Sequence, residues 1–385
     1  MNNKNTPGHS GSEIRYLLPP QLSAPFCLDP LTLCGINSED NHCFMVTRLD
    51  GYLLFNTRLP QPCRFGDVKD DICVLTGSSS LFFSTDSGCS FTEIAIPLEQ
   101  EERLGKVKID RREIIVQLYQ AKKHPTFGLQ PRLLRLSLSG DLIWQTRLPV
   151  VNEKRILICS PNVLPEDLPQ TREKEPRYWV PGAQELLISD HILMLSYADY
   201  GTSGLGAWYA IHTGSGRLLW QSRSEPIAHT TALSGGRFIL GTSGYGAFDS
   251  YLFGAENNIS NHWPANGPCF ETGEGKLMLL QSDDSNNDGQ QLVELAPDSS
   301  LMNHNLSFPD GNHHIGKLLQ LAGDKVFFWR NHGLWSWQAG KGLSRLMQVN
   351  TQSYLVKLLA LSPSSFAFIY NKELGDSPNI HIFNY

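Results

Sequence analysis

One short phrase is written three times along this chain. It reads "DGYLLFNTRLP" at residues 50–60, "SGDLIWQTRLP" at 139–149 and "SGRLLWQSRSEP" at 215–226. Each copy is a Ser-Gly or Asp-Gly turn, a strand of alternating large apolar residues, and a closing proline. Another apolar strand precedes each copy ("CFMVTRL", "PRLLRLSL", "AWYAIHT"), so each pair reads as a hairpin with a glycine-containing turn. Weaker copies follow the same grammar at Leu81 to Pro97, Ser250 to Pro264, Leu292 to Pro309 and Gly333 to Val349. Upstream of each lies a second apolar hairpin. The second strands of the repeating units begin near residues 32, 72, 113, 192, 238, 277, 326 and 366. Most intervals are about 40 to 50 residues, the period of a four-stranded propeller blade.

The pattern predicts a single all-β domain over residues 1–385, an eight-bladed β-propeller of four-stranded antiparallel blades. The eighth unit stops after its third strand, "NIHIFNY", and the segment Ser12 to Pro20 offers a spare strand before the first unit. Pairing the two closes the fold and leaves no open sheet edge at either end. Seven blades, a β-sandwich or two smaller barrels are the competing arrangements. Little helix is expected, and "PLEQEERLG" (Pro97 to Gly105) is the one stretch that suggests a helical turn.

Composition narrows the functional classes. The net charge of -6 argues against a protein that tracks nucleic-acid phosphates, which needs a basic face. No apolar run of about 18 residues is available to span a membrane. The first twenty residues lack the basic and apolar regions of a secretory leader. Eight cysteines are scattered without a Cys-x-x-Cys pair, several within apolar runs, as expected of buried thiols in a reducing, cytoplasmic setting.

The segments "WYAIHTGSGRLLWQ", "LLRLSLSGDLIWQ" and "FMVTRLDGYLLFN" resemble the repeats of quinoprotein-like propellers. That group includes alcohol dehydrogenases using pyrroloquinoline quinone and a lipoprotein scaffold of bacterial outer-membrane assembly. The segment "STDSGCSF" (Ser84 to Phe91) resembles the Asp-box of sialidase-type propellers. The resemblance implies a turn in which the aspartate caps backbone amides and the aromatic packs between strands, a structural role only.

In a propeller, the turns joining first to second and third to fourth strands share one end of the blades. Here these turns are short. The connections at the other end are longer, and one insertion, roughly residues 150–182, dominates them. Long ordered loops cost conformational entropy and usually have a use. Protein contact is therefore expected at the long-loop face, through Arg172, Arg177, Tyr178, Trp179, Tyr200, Tyr245 and Phe248.

Little chemistry is written in motifs. Asp284, Asn286, Asp288 and Gly289 match the start of a calcium loop, but Leu292 and Glu294 break its later positions. A polar hairpin tip is the plainer reading, with a calcium site as the alternative. His229, His313 and His314 lie near blade-to-blade connections, where surface histidines are the plainer reading against a metal site. No nucleophile elbow, phosphate loop or His-Glu-x-x-His is present. The expected function is a non-catalytic interaction scaffold with protein partners and no cofactor. The alternatives are an enzyme (hydrolase, lyase or quinone-dependent) and a glycan or small-ligand binder at the axis, because propellers host all three.

Overall fold

A computed structural model describes residues 13–17, 22–37, 39–99, 102–120, 132–148, 185–198, 206–224, 227–242, 249–254, 259–281, 291–303, 318–321, 325–330, 332–349, 353–371 and 379–384. They form eight antiparallel sheets of four strands each, with no helix among the described residues, and the fold is an eight-bladed β-propeller. The second strands start at Thr32, Ile72, Glu113, Ile192, Phe238, Leu277, Lys325 and Ser365. The repeat count therefore holds, and the seven-blade and sandwich arrangements do not.

Blades one to seven span residues 22–58, 65–95, 102–147, 185–224, 227–263, 269–303 and 318–348. Blade eight takes its first three strands from Tyr354–Ser362, Ser365–Asn371 and Asn379–Asn384. Its fourth is Glu13–Leu17, which pairs antiparallel with Asn379–Asn384, placing Tyr16 opposite Ile380 and Glu13 opposite Phe383. Blades one, seven and eight, with residues 87–89, form one compact unit, and blades two to six with their connections form the other.

Within each unit the repeated phrase turns out to be a code for joining blades. Its glycine sits at positive φ in every copy: 85° at Gly51, 90° at Gly140 and 68° at Gly216. That conformation is open to glycine at little cost. The missing Cβ also makes room for the preceding blade. A Cβ on Gly216 of blade four would stand 2.7 Å from the Trp144 ring of blade three, and one on Gly140 would meet Ile94 of blade two. The tryptophan completes the contact, since Trp144 Nε1 donates to the Thr213 carbonyl of the next blade's turn at 2.6 Å. Trp263 of blade five repeats this, donating to Ala296 O at 2.9 Å. The threonine three residues before the proline donates to a turn carbonyl one blade on, Thr57 to Gly88 and Thr146 to Gly216. The leucine before the proline, Leu59 or Leu148, is buried.

Apolar side chains fill the seams behind these turns. Between blades three and four, Ile115, Leu133, Trp144 and Leu148 pack against Leu193, Leu195, Tyr209 and Ile211. Between blades four and five, Trp208 meets Trp220 and Phe253 edge-on at centroid separations of 4.9 and 3.7 Å.

One local expectation is overturned. The stretch 97–105 forms no helical turn where it is described, because Glu102 already begins the long strand Glu102–Asp110. The reason is ionic. Arg132, only 5% exposed, donates to Glu102 through Nε at 3.1 Å and Nη2 at 2.5 Å, and to the Pro97 carbonyl at 2.8 Å. Arg135, equally buried, pairs with Asp110 at 3.0 Å and with Glu113. A helix would withdraw the Glu102 carboxylate and leave a buried guanidinium without its counter-charge, which is strongly unfavourable.

The aspartate of the Asp-box-like turn in blade two caps the turn as expected. Asp86 accepts hydrogen bonds from Ser84 Oγ and Ser90 Oγ, both at 2.6 Å, and from the Ser90 amide at 3.0 Å. These bonds, the Ser84 hydroxyl foremost, bring the Asp86 carboxyl down to about 2. Gly88, at φ 87°, lies so close to Phe44 of blade one that a Cβ would come within 2.3 Å of its ring.

Two outcomes are expected. Replacing Trp144 with alanine should cost about 3–5 kcal/mol in denaturant unfolding, and replacing it with phenylalanine less, about 1–3 kcal/mol, since the hydrogen bond and part of the ring volume go. Because the folded pKa of Asp86 lies below its free value, its bonds stabilise the fold above about pH 4 and are lost as pH falls through about 2. Asp86→Asn should therefore melt at lower temperature than the parent chain near neutrality, with the gap closing as the pH approaches about 2.

Candidate partner-binding surface

The seam between blades one and eight exists because the two ends of the described chain meet in blade eight. Leu22, Leu33, Met45 and Leu49 of blade one pack there against Ala367, Ile369, Ile380 and Ile382 of blade eight. At the short-turn end this packing opens into a cavity of about 350 Å³. Its walls come from Pro30, Leu31 and Leu49 on one side and Leu361 and Ile382 on the other. Arg48, Asp50, Ser365 and Asn384 supply the polar groups at its margin.

Backbone hydrogen bonds set the shape of the blade-one lip. The Gly51 amide donates to Arg48 O at 2.9 Å, and the Arg48 amide to Tyr52 O at 2.8 Å, closing the turn. The Tyr52 amide donates to Asp50 Oδ1 at 3.1 Å. The neighbouring turn is fixed by the Leu31 amide donating to Asp29 Oδ1 at 2.7 Å, and the Leu49 amide ties the two turns together at Leu31 O, 2.9 Å. Leu49 is thereby buried while Leu31 and Tyr52 are turned outward, 71% and 65% exposed. Leu53 and Leu54 continue the exposed apolar surface onto the edge strand Leu53–Arg58. Arg48 Nη2 is held by Asp50 Oδ2 at 2.8 Å, with the arginine side chain still 57% exposed.

Other large apolar side chains are exposed at Leu142 and Ile143 in blade three and at Met302 in blade six. None of these three is among the cavity-lining residues, whereas Leu31 is.

The residues expected to bind partners, Arg172, Arg177, Tyr178, Trp179, Tyr200, Tyr245 and Phe248, all lie outside the described residues. So do the insertion 150–182, His313 and His314, and the calcium-loop candidates Asp284, Asn286 and Asp288. His229 is described; it lies half-buried in the strand Ile227–Ala232. Among the described residues no three His, Cys, Asp or Glu side chains come together as a metal-binding set. Leu31, Tyr52, Leu53 and Leu54 were not singled out by sequence reasoning, although Tyr52 carries a signal. The residue after the turn glycine is charged in the two strongest copies, Asp141 and Arg217, and aromatic only here.

No protein-family model and no curated protein matches the chain. Solved structures do match. BamB from Moraxella catarrhalis superposes over 97% of this chain and 100% of its own, with a TM-score of 0.56 at 10% identity. The quinohemoprotein alcohol dehydrogenase of Comamonas testosteroni covers 96% of this chain over 76% of its own, TM-score 0.56, at 9% identity. A quinohemoprotein alcohol dehydrogenase from Pseudomonas putida HK5 covers 96% over 75%, TM-score 0.54, at 10% identity. The chain thus shares the BamB-like, quinoprotein-type propeller fold, and at these identities the likeness is one of fold.

Proposed function

We propose that the chain is a non-catalytic interaction scaffold, a propeller that presents apolar and loop surfaces to protein partners within a larger assembly. One observation carries the reading. Leu31, Tyr52, Leu53 and Leu54 are held in solvent by well-bonded turns beside an apolar cavity. Exposed leucine and tyrosine side chains beside an apolar cavity, with arginine at its margin, have the composition of a protein contact. BamB from Moraxella catarrhalis shares the fold. Acid–base or metal chemistry would call for converging titratable groups, whereas Arg48 and Asp50, which line this cavity, are paired with each other amid leucine, isoleucine and proline.

The setting we propose is the cytoplasm. The seven described cysteines are all unbridged, and five are buried. Burial lifts the Cys63 thiol to about 12, leaving it inert toward oxidation. The partner-binding reading extends to the long-loop residues Arg172, Arg177, Tyr178, Trp179, Tyr200, Tyr245 and Phe248 as a second contact surface.

Affinity purification from the native host tests both surfaces. The triple variant Leu31→Ser, Tyr52→Ser, Leu54→Ser should keep its stability to within about 1 kcal/mol, because the side chains are largely solvated, yet lose co-purifying protein at least tenfold. Deleting 164–177 should leave the fold intact and weaken capture separately. Undiminished capture by both variants would remove the scaffold reading.

A further inference from the structure

The copies of the seam phrase do not all close their joints. Trp144 and Trp263 each donate an indole N–H to a turn carbonyl of the following blade, at 2.6 and 2.9 Å. Trp220, the tryptophan of the blade-four copy, is buried, yet its Nε1 has no hydrogen-bond partner. The leucine before the closing proline, buried as Leu59 and as Leu148, is missing as well; Ser224 and Glu225 precede Pro226. Two further polar groups are stranded in the same joint. Ser196 and Trp208 lie opposite each other on neighbouring strands of blade four, both fully buried, and neither Ser196 Oγ nor Trp208 Nε1 is hydrogen-bonded. Directly opposite residues share a face of the sheet. On this face Trp208 packs with Trp220 against Phe238, Leu240, Tyr251 and Phe253 of blade five. We propose that the joint between blades four and five is a built-in opening seam. It separates before the joints on either side of it and exposes the Trp208–Trp220–Phe253 cluster.

Closing this joint takes Ser196 Oγ, Trp208 Nε1 and Trp220 Nε1 out of water and returns a hydrogen bond to none of them. A buried polar group left unpaired keeps its full desolvation cost, whereas opening lets water pair it. Unpaired atoms occur in the adjoining joints too, Gln221 Oε1 toward blade three and Ser250 Oγ and Asn266 Oδ1 between blades five and six. There the tryptophan bond is made and holds the blades together. Hydrogen bonds do tie one side of the opening seam. Ser189 Oγ donates to Leu233 O and accepts from the Gly236 amide at 3.1 Å. Ser189 ends the first strand of blade four, Glu185–Ser189, whereas Trp220 lies on the fourth, Leu218–Ser224, at the opposite edge of the sheet. The tied side acts as the hinge and the unlatched side swings. Such an opening needs less free energy than unfolding the whole chain, as local openings in folded proteins do.

The test is native-state thiol labelling of the full chain with N-ethylmaleimide, read site by site by mass spectrometry. Met194 and Leu195 are adjacent, both fully buried, and face different joints: Met194 the one with blade five, Leu195 the one with blade three. Leu240 and Ile239 repeat the arrangement in blade five, Leu240 toward blade four and Ile239 toward blade six. Cys73, fully buried in blade two, gauges global unfolding in every variant. Relative to Cys73, Met194→Cys and Leu240→Cys should be labelled at least tenfold faster than Leu195→Cys and Ile239→Cys. Adding Ser196→Ala to Met194→Cys removes an unpaired hydroxyl and should slow labelling at position 194 at least threefold. Labelling at 194 and 240 no faster than at 195 and 239 would overturn the opening seam. A rate at 194 left unchanged or raised by Ser196→Ala would overturn it too.

Discussion

Pairing of Glu13–Leu17 with Asn379–Asn384 is the constraint from which the rest of the site follows. The strand Asn379–Asn384 has Ser365–Asn371 on one side, and without Glu13–Leu17 its other side would be a bare edge. Such an edge is a template for unwanted pairing. The same pairing steadies the strand that delivers Ile380 and Ile382 to the seam with blade one. Remove it, and the wall that shapes the cavity loses its support. A ladder of hydrogen bonds between Glu13–Leu17 and Asn379–Asn384 therefore supports one wall of that cavity.

The seams from blade two to blade four are held by a division of labour within one phrase. Glycine makes the turn and vacates the space of a Cβ; the aromatic or aliphatic side chain of the preceding blade occupies it; tryptophan and threonine then donate to turn carbonyls in the following blade. Burial supplies most of the stabilisation, since the seams between blades three and four and between four and five enclose several large side chains, while single hydrogen bonds contribute about 1 kcal/mol net. The hydrogen bonds set register. That is why the polar members of the phrase are placed as regularly as the apolar ones.

Much of this was legible in the residues because repetition amplifies weak signals. A lone "SGDLIWQ" is an ordinary hairpin; its recurrence with matching upstream strands announced eight units and located their second strands to within a residue. What stayed hidden depends on contacts distant in sequence. Glu102 reads as part of a charged helical stretch until Arg132, thirty residues on, is seen to hold it in a strand. The cavity was equally invisible, being assembled from residues 30–31, 48–50, 361–365 and 382–384, which no local pattern connects. Tyr52 was the exception: an aromatic where sister copies place a charge is a local departure that a position-by-position comparison of the repeats exposes.

A turn in this fold can pack one side chain into a seam and present its neighbours to solvent. Blade one shows it, since the turn holding Arg48, Leu49 and Asp50 buries one side chain for stability and leaves its neighbours in solvent. The most direct measurement is hydrogen–deuterium exchange across residues 379–384, in the full chain and in one lacking residues 1–17. Protection in the full chain comparable to that of residues 365–371, lost on truncation, is the predicted result. Equal exchange in the two chains would show that Glu13–Leu17 does not complete blade eight, and the surface built on that closure would fall with it.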